Sequence, residues 1–341
     1  MTRKSLLEML LKFRVLVCLC LFTVGNIILL GRFLFLNTTV HSNKKDRPAL
    51  LIITSGRSGS SFLGNLLKNN RKVIYHFEPL NPMLWVHNYN ISTIQIAEYL
   101  DQFFSCNVSW NNDKYLNHKL AYSNRIWSTR FSSREDLNVN ITVLNEDCRS
   151  EEKLVVVKVL QDRFPLGAKK VLQLLKHDNV KVIQLVRDPR ATLFSMARLG
   201  WKVSEDESVK KSICDCIFDE YNALKIFDSF KALRYEDLCE NLIPKMKEIC
   251  NFVGLNYTQA YNEYLIRVGN VTTIGNTDYS VERNIKLASQ KWRAQIPLNF
   301  SYDVEAACGN VMDSFGYIKL GKNRMEILNL SVPVYRKEWE L

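Results

Sequence analysis

Residues 49–61 read Ala-Leu-Leu-Ile-Ile-Thr-Ser-Gly-Arg-Ser-Gly-Ser-Ser, an apolar run that gives way to a glycine- and serine-rich loop. The run Ala49–Thr54 is short and contains β-branched residues, which is typical of a central strand in a parallel sheet. A helical pattern follows over Ser61–Asn69. The loop therefore lies where a strand ends and a helix begins, and ligands of parallel sheets bind at that end of the strands.

The loop itself has the composition of an anion-binding turn. Gly56 and Gly59 allow the backbone to turn tightly and to approach a ligand closely. The start of the helix supplies free N–H groups and a positive dipole end, and Arg57 adds a fixed charge. Hydroxyl groups come from three serines: Ser58, Ser60 and Ser61. We expect a phosphate or sulfate group here, with a turn that merely caps the helix as the alternative. The loop is not a Walker A sequence, because no lysine follows Gly59.

Two further apolar runs predict buried strands, Leu154–Leu160 and Val180–Val186. Helical patterns occur at Ala191–Leu199 and Cys214–Phe230. Strands that alternate with helices indicate an α/β fold, in which a parallel sheet is flanked by helices on both faces. The loops after the first and third strands are therefore the places to look for a site.

The loop after Val180–Val186 is the second candidate. Arg187 lies at the carboxyl end of this strand, and Asp188 and Pro189 fit the N-cap and first turn of the next helix. Ser195 follows Arg187 by eight residues, a little over two helical turns, so both side chains can converge on one anion. A salt-bridged surface turn is the alternative interpretation.

The first 48 residues differ in character from the rest. Residues 15–36 form an almost entirely apolar stretch of 22 residues, about the length that spans a bilayer. We expect residues 1–14 to be a cytoplasmic tail, residues 15–36 a transmembrane signal anchor and residues 37–48 a short stem. A cleaved signal peptide is the alternative, because residues 23–25 could serve as a cleavage site.

Residues 49–321 show no linker or repeat, so we expect one lumenal domain there and a C-terminal tail over residues 322–341. The lumenal side, and hence a type II topology, is inferred from glycosylation sequons, of which chance predicts about three. Eight occur, all after the apolar span: Asn37, Asn90, Asn107, Asn140, Asn256, Asn270, Asn299 and Asn329.

Seven of the nine cysteines also follow the span. Their spacings match no zinc site. In an oxidising lumen some of them should form disulfides, and an odd number leaves at least one without an intrachain disulfide partner. The sequence does not determine their connectivity.

Composition excludes several classes of protein. Hydrophobic residues make up 47% of the 341 residues, enough for a sizeable core, so the chain is not disordered in bulk. The 46 Lys and Arg against 35 Asp and Glu give a net charge of +11, which suits an anionic ligand or polymer. Because zinc-finger spacing, a basic zipper and a basic low-complexity tail are all missing, we expect no nucleic-acid partner.

Taken together, the two loops resemble those of the Golgi carbohydrate sulfotransferases, specifically the Gal/GalNAc/GlcNAc 6-O-sulfotransferase group. Residues 57–62 are similar to that family's 5′-phosphosulfate loop, and residues 185–191 with Ser195 are similar to its 3′-phosphate element. Collinear similarity extends to Lys158 and four short segments: residues 77–80, 233–238, 291–293 and 316–317. Residues 80–83 depart from the pattern, because relatives often place an aromatic residue soon after Pro79.

The resemblance implies a sulfotransferase fold related to the P-loop NTPases. It also implies 3′-phosphoadenosine 5′-phosphosulfate (PAPS) as donor, no metal, a glycan or glycosaminoglycan acceptor and a Golgi membrane location. The residues that it assigns to the donor are Arg57, Ser58, Gly59, Ser60, Ser61, Phe62, Arg187, Asp188, Pro189, Arg190 and Ser195.

The resemblance implies three catalytic residues: Glu78, Arg57 and Lys158. Glu78 is the candidate base for the acceptor hydroxyl, with His76 as the alternative base and an ion pair that orders the loop as the alternative role. Lys158 would contact the donor or the acceptor.

Two other functions compete with a sulfotransferase. A lumenal nucleotide-dependent kinase is disfavoured, because the Walker lysine and a Mg²⁺-binding pattern are missing. A non-catalytic protein that binds PAPS or glycan would keep the same donor motifs, so only turnover distinguishes it from the enzyme.

Overall fold

The computed structural model describes residues 47–86, 90–109, 141–150, 153–201, 203, 206–272 and 284–337. The expected cytoplasmic tail and membrane anchor, and all but two residues of the stem, lie outside these ranges. Within the described ranges, none of the helices combines the length and apolar character needed to cross a membrane.

A single sheet of five strands forms the centre of the fold, with the strand order β2-β3-β1-β4-β5. All neighbouring strands are parallel. The strands are β1 Ala49–Thr54, β2 Val73–Phe77, β3 Leu154–Leu160, β4 Val180–Val186 and β5 Phe230–Arg234. The prediction of a parallel sheet is confirmed, and β1, β3 and β4 have the predicted limits. The outer strands β2 and β5 were not predicted, because each is only five residues long and contains charged or polar residues.

Helices connect the strands. In chain order they are α1 Ser60–Lys68, α2 Leu80–Val86, α3 Thr93–Phe104, α4 Ile141–Arg149, α5 Ala168–Leu172, α6 Pro189–Arg198, α7 Glu207–Leu224, α8 Tyr235–Glu240, α9 Leu242–Val253, α10 Gln259–Gly269, α11 Ile285–Gln290, α12 Trp292–Gln295, α13 Leu298–Ala307, α14 Gly309–Ser314 and α15 Arg324–Leu328. The helix predicted over Cys214–Phe230 was misplaced. It begins earlier because the carboxylate of Asp206 caps it by accepting from the N–H of Ser208 at 2.8 Å, and Phe230 opens β5 instead.

The continuous apolar character of β1 follows from burial on both faces of the sheet. Leu51 and Ile53 belong to a core that includes Phe103 of α3. Leu50 and Ile52 point to the opposite face and belong to a core built with α1, α8 and α9. A strand between two apolar layers has no solvent-facing side, so alternation of polar and apolar residues disappears.

The segment that the sequence suggested as a C-terminal tail packs against the domain over its described part. Ile327 and Val334 are buried in a third core, and Tyr317 pairs with Tyr335 in an antiparallel bridge. The guanidinium of Arg293 donates to the carbonyl of Ile327 at 2.8 Å. Residues 322–337 therefore complete the same folded unit.

Two disulfides occur in the described part of the chain. Cys106–Cys148 joins the end of α3 to α4, and Cys214–Cys308 joins α7 to the junction of α13 and α14. The expectation that some cysteines pair is thus confirmed, with a connectivity that spacing alone did not reveal.

Candidate anion-binding site

The loop after β1 is tied to the neighbouring strand β4. The Oγ1 of Thr54 donates to the carbonyl oxygen of Leu185 at 2.9 Å and is in contact with Oγ of Ser58. The Ser58 hydroxyl donates to the carbonyl of Ser55 at 2.8 Å and is fully buried. Ser58 therefore shapes the loop from inside.

Gly59 begins helix α1 in a left-handed conformation, with φ of 92°. A Cβ at this position would lie 2.3 Å from the ring of Tyr235. None of the described side chains caps the helix, and its first turn contains no acid. The free N–H groups and positive dipole end of this turn therefore suit an anion.

Replacing Gly59 with alanine is expected to lower the free energy of unfolding by about 2–4 kcal/mol, because backbone strain and a clash with Tyr235 add up. Gly254→Ala is the matched control, since Gly254 also has a positive φ of 70° but no atom of the described neighbouring residues lies within 4 Å of its Cβ position. Chemical denaturation measures both variants. Equal losses in the two variants would contradict the close contact between Gly59 and Tyr235.

Arg57 joins the two predicted loops. Its Nε donates to Oγ of Ser195 at 3.1 Å, and its carbonyl oxygen accepts from Nη1 of Arg187 at 3.2 Å. Arg57 has φ of 64°, a conformation that costs a residue with a Cβ about 1–2 kcal/mol. Such strain persists where the surrounding structure imposes it, and it is concentrated at functional sites.

Arg187 lies over the ring of Tyr235, 5.0 Å from its centroid. Its Nη2 donates to the carbonyl of Ala288 at 3.4 Å. Its Nε is buried and has no hydrogen-bond partner among the described residues. Leaving a buried donor unsatisfied costs free energy, and a bound anion would recover that cost.

The structure does not bring every predicted donor residue to the site. Asp188 and Arg190 are fully buried, and their side chains pair with each other at 2.7 Å. Arg190 also pairs with Glu305 at 2.6 Å. The Arg190 guanidinium is thus paired with two carboxylates inside the protein, and its ion pair with Glu305 joins α6 to α13. Pro189 and Phe62 are also buried, the latter edge-on to Tyr235.

Glu78 and Lys158 form a second polar cluster at the same edge of the sheet, where β2 and β3 end. Their side chains form an ion pair. The backbone N–H of Glu78 donates to the carbonyl of Lys158 at 2.8 Å, and Glu78 has a positive φ of 48°. The Lys158 side chain is only 3% exposed, and its ammonium lies 4.5 Å from the centroid of the Phe77 ring. Burial lowers the pKa of Lys158, while Glu78 opposes this shift.

The alternative base, His76, is enclosed in the core. The residue is 1% exposed, and the centroid of its ring lies 4.9 Å from that of Phe103. Burial lowers its pKa to about 3. Of the two candidates, Glu78 has the more accessible side chain, because 16% of it is exposed.

Sequence reasoning assigned no role to three residues that build the site. Tyr235 lies against Gly59 and under Arg187, and Glu236 contacts the backbone of Asp188. Both belong to residues 233–238, a segment that the sequence analysis identified only through its similarity to the carbohydrate sulfotransferases. No sequence motif indicated a role for Trp201, whose ring lies 2.8 Å from the position that a Cβ of residue 56 would occupy. A side chain at position 56 would therefore displace the Trp201 ring.

The loops after β1 and β4 of this parallel sheet thus bring together two arginines and the start of helix α1, an arrangement suited to a phosphate- or sulfate-bearing ligand. The family model described as sulfotransferase domain matches residues 47–291. The chain belongs to the sulfotransferase family, and its resemblance to the carbohydrate sulfotransferases is confirmed.

Similar proteins include carbohydrate sulfotransferase 3 of Mus musculus, which is 25% identical over 84% of this chain and 71% of that protein. Carbohydrate sulfotransferase 4 of Mus musculus is 24% identical over 92% of this chain and 94% of that protein. Among solved structures, the sulfotransferase domain of the Synechococcus PCC 7002 olefin synthase is 19% identical with a TM-score of 0.47, and covers 79% of this chain and 96% of that domain. Mouse sulfotransferase SULT7A1 complexed with PAP is 11% identical with a TM-score of 0.40, over 76% of this chain and 83% of that one.

Proposed function

We propose that this chain is a carbohydrate sulfotransferase that moves the sulfuryl group of PAPS to a sugar hydroxyl, the 6-OH of Gal, GalNAc or GlcNAc in a glycosaminoglycan or glycoprotein glycan. The contact of Arg57 with both Ser195 and Arg187 carries this proposal, because it joins two basic loops into one site. The names of the similar proteins support the carbohydrate acceptor.

The site fits the two charged ends of this donor. We assign the 5′-phosphosulfate to Arg57 and the uncapped start of α1, where free N–H groups suit an anion. The 3′-phosphate is assigned to Arg187 and Ser195. The Nε of Arg187 supports this assignment, because it is a charged donor without a hydrogen-bond partner among the described residues. The same side chain also contacts the loop after β1 through the carbonyl of Arg57.

The donor supplies the sulfuryl group, whose bond to the phosphate oxygen breaks as a bond to the acceptor oxygen forms. Arg57 and the first N–H groups of α1 stabilise negative charge on the departing phosphate. Glu78 accepts the proton of the acceptor hydroxyl. Lys158 orients the Glu78 carboxylate through their ion pair.

The reaction is tested by incubating the protein with radiolabelled-sulfate PAPS and a panel of desulfated glycans. Label entering one glycan would establish the reaction and identify the acceptor together. Binding of 3′-phosphoadenosine 5′-phosphate (PAP) with no labelled glycan would favour the non-catalytic alternative. A folded protein that does not bind PAP would overturn the proposed function.

We also propose a lumenal domain on a single-pass type II Golgi membrane anchor. Exposure of the sequon asparagines supports the lumenal side, since N-glycans are added to accessible sequons of proteins in the secretory pathway. Six of the eight lie in the described ranges, and all six are exposed: Asn90, Asn107, Asn256, Asn270, Asn299 and Asn329.

Removal of N-glycans with a glycosidase is therefore expected to lower the apparent mass of the protein expressed in animal cells. Asn256→Gln and Asn329→Gln should each remove one glycan, as judged by gel mobility. Asn251→Gln is the control, because Asn251 is equally exposed but is in no sequon. Mobility that the glycosidase leaves unchanged would contradict the lumenal location.

A further inference from the structure

Glu236 is a buried carboxylate beside the Arg187 turn. It is the second residue of α8, the helix that follows β5, and only 3% of its surface is exposed. Its Oε1 accepts from the backbone N–H of Asp188 at 3.1 Å, and its Oε2 accepts from the hydroxyl of Tyr317 at 2.9 Å. Both of these donors are neutral. The carboxyl group thus links the residue after Arg187 to the C-terminal part of the domain.

The same short segment contacts both halves of the site. Tyr235, the residue before Glu236, places its ring against Gly59 of the first loop and beneath Arg187 of the second. Glu236 then fixes the backbone at Asp188. A movement of this segment would displace both loops together, so the segment positions the whole anion site.

Several charged or titratable groups face Glu236. The pKa of Glu236 is raised to about 7, chiefly by burial and then by the nearby charge of Asp188, while the charge of Arg187 opposes the shift. Two tyrosines of the C-terminal elements also face Glu236, and its charge raises the pKa of both Tyr317 and Tyr335. Arg234, at the end of β5, acts on Tyr317 in the opposite sense. The charge of Asp188 is itself compensated by its pair with Arg190.

We propose that Glu236 is a positioning residue for the donor: its carboxyl group holds the Arg187 turn, and its charge state sets how strongly that turn binds the 3′-phosphate. This inference rests on the proposed function. Ionised Glu236 offsets part of the positive charge of Arg187. Protonated Glu236 leaves that charge available to the anion.

The direction of the effect follows from linkage. An anion bound at Arg187 disfavours a second negative charge beside it, so binding raises the pKa of Glu236 and the protein takes up a proton. Between pH 6 and pH 8 the free protein loses this proton. Donor affinity must therefore fall as the pH rises through about 7.

Titration calorimetry with PAP tests the proposal without depending on turnover. The dissociation constant of PAP is expected to be about fivefold larger at pH 8 than at pH 6, in excess of any titration of PAP itself. Near pH 7, buffers with different ionisation enthalpies should reveal net proton uptake. Glu236→Gln, which keeps the shape and remains neutral, should abolish both effects.

Two further variants separate titration from packing. Glu220→Gln is the matched control, because Glu220 is also buried with a raised pKa and accepts from the N–H of Ala168 at 3.0 Å. It should leave the pH dependence unchanged. Tyr317→Phe removes a hydrogen bond that stabilises ionised Glu236, so it should move the midpoint to higher pH.

PAP binding by Glu236→Gln with the same pH dependence as the wild type would overturn the inference. So would a wild-type protein that binds PAP without proton uptake. If Glu236→Gln does not fold, the wild-type uptake and the shift in Tyr317→Phe still decide the question. Absence of PAP binding by the folded wild type at every pH would instead overturn the proposed function.

Discussion

Replacing Arg57 with glycine is expected to reduce sulfuryl transfer by about 10²- to 10³-fold, because a charged donor is lost where negative charge develops. The free energy of unfolding should stay within about 1 kcal/mol of the wild type. Glycine relieves the cost of the positive φ at this position, while greater freedom of the unfolded chain and loss of the bond to Ser195 act in the opposite direction. The glycan-labelling assay and chemical denaturation measure the two quantities.

Two variants serve as controls for Arg57→Gly. Ser195→Ala removes the partner of the Arg57 Nε without removing the charge, so it should weaken donor binding more than it slows transfer. Arg57→Lys keeps a positive charge but loses the planar fork that binds an anion through two N–H groups, so it should recover only part of the rate. Full activity in Arg57→Gly would contradict the assignment of Arg57 to the phosphosulfate.

Replacing Glu78 with glutamine is expected to lower kcat by about 10²- to 10⁴-fold, the range that a positioned general base contributes. A loss of activity would also have a second explanation, because the substitution removes the ion-pair partner of Lys158, whose side chain is 3% exposed. An unpaired buried charge costs about 3–5 kcal/mol. Disruption of the loop after β2 would therefore lower the activity even if Glu78 does not accept the proton of the acceptor hydroxyl.

The double variant Glu78→Gln with Lys158→Met separates these explanations. It removes both charges, so the loop should regain the stability that the single variant loses, as measured by denaturation. If Glu78 is the base, activity stays low in the double variant but is higher in Lys158→Met alone, which keeps the Glu78 carboxylate. Recovery of activity together with stability would show that the ion pair orders the loop and that another group accepts the proton.

The three central strands of the fold were predictable from the sequence, because burial on both faces determines the composition of each short segment by itself. Strands β1, β3 and β4 are buried on both faces, so each is a continuous apolar run with clear ends. The two site loops follow from the same fact, since parallel strands place their carboxyl ends at one edge. β5 escaped prediction because Lys231 and Arg234 interrupt its apolar pattern.

The roles of the charged residues in the second loop were not predictable in the same way. Arg187 and Arg190 are three residues apart, and the resemblance assigns both of them to the donor. Only the structure shows that Arg190 is paired with Glu305, 115 positions away in the chain. Arg187 has instead a buried Nε with no hydrogen-bond partner among the described residues.

By itself, the sequence determined the α/β class, the three central strands, the two basic loops and the resemblance to a sulfotransferase. Each of these is a property of a short segment or of the order of segments. The tertiary structure alone decided which side chains meet: Arg57 with Ser195 across 138 positions, Glu78 with Lys158 across 80, and Glu236 with Asp188 across 48. Such contacts depend on how distant segments pack, and no local pattern encodes the partner of a charged side chain.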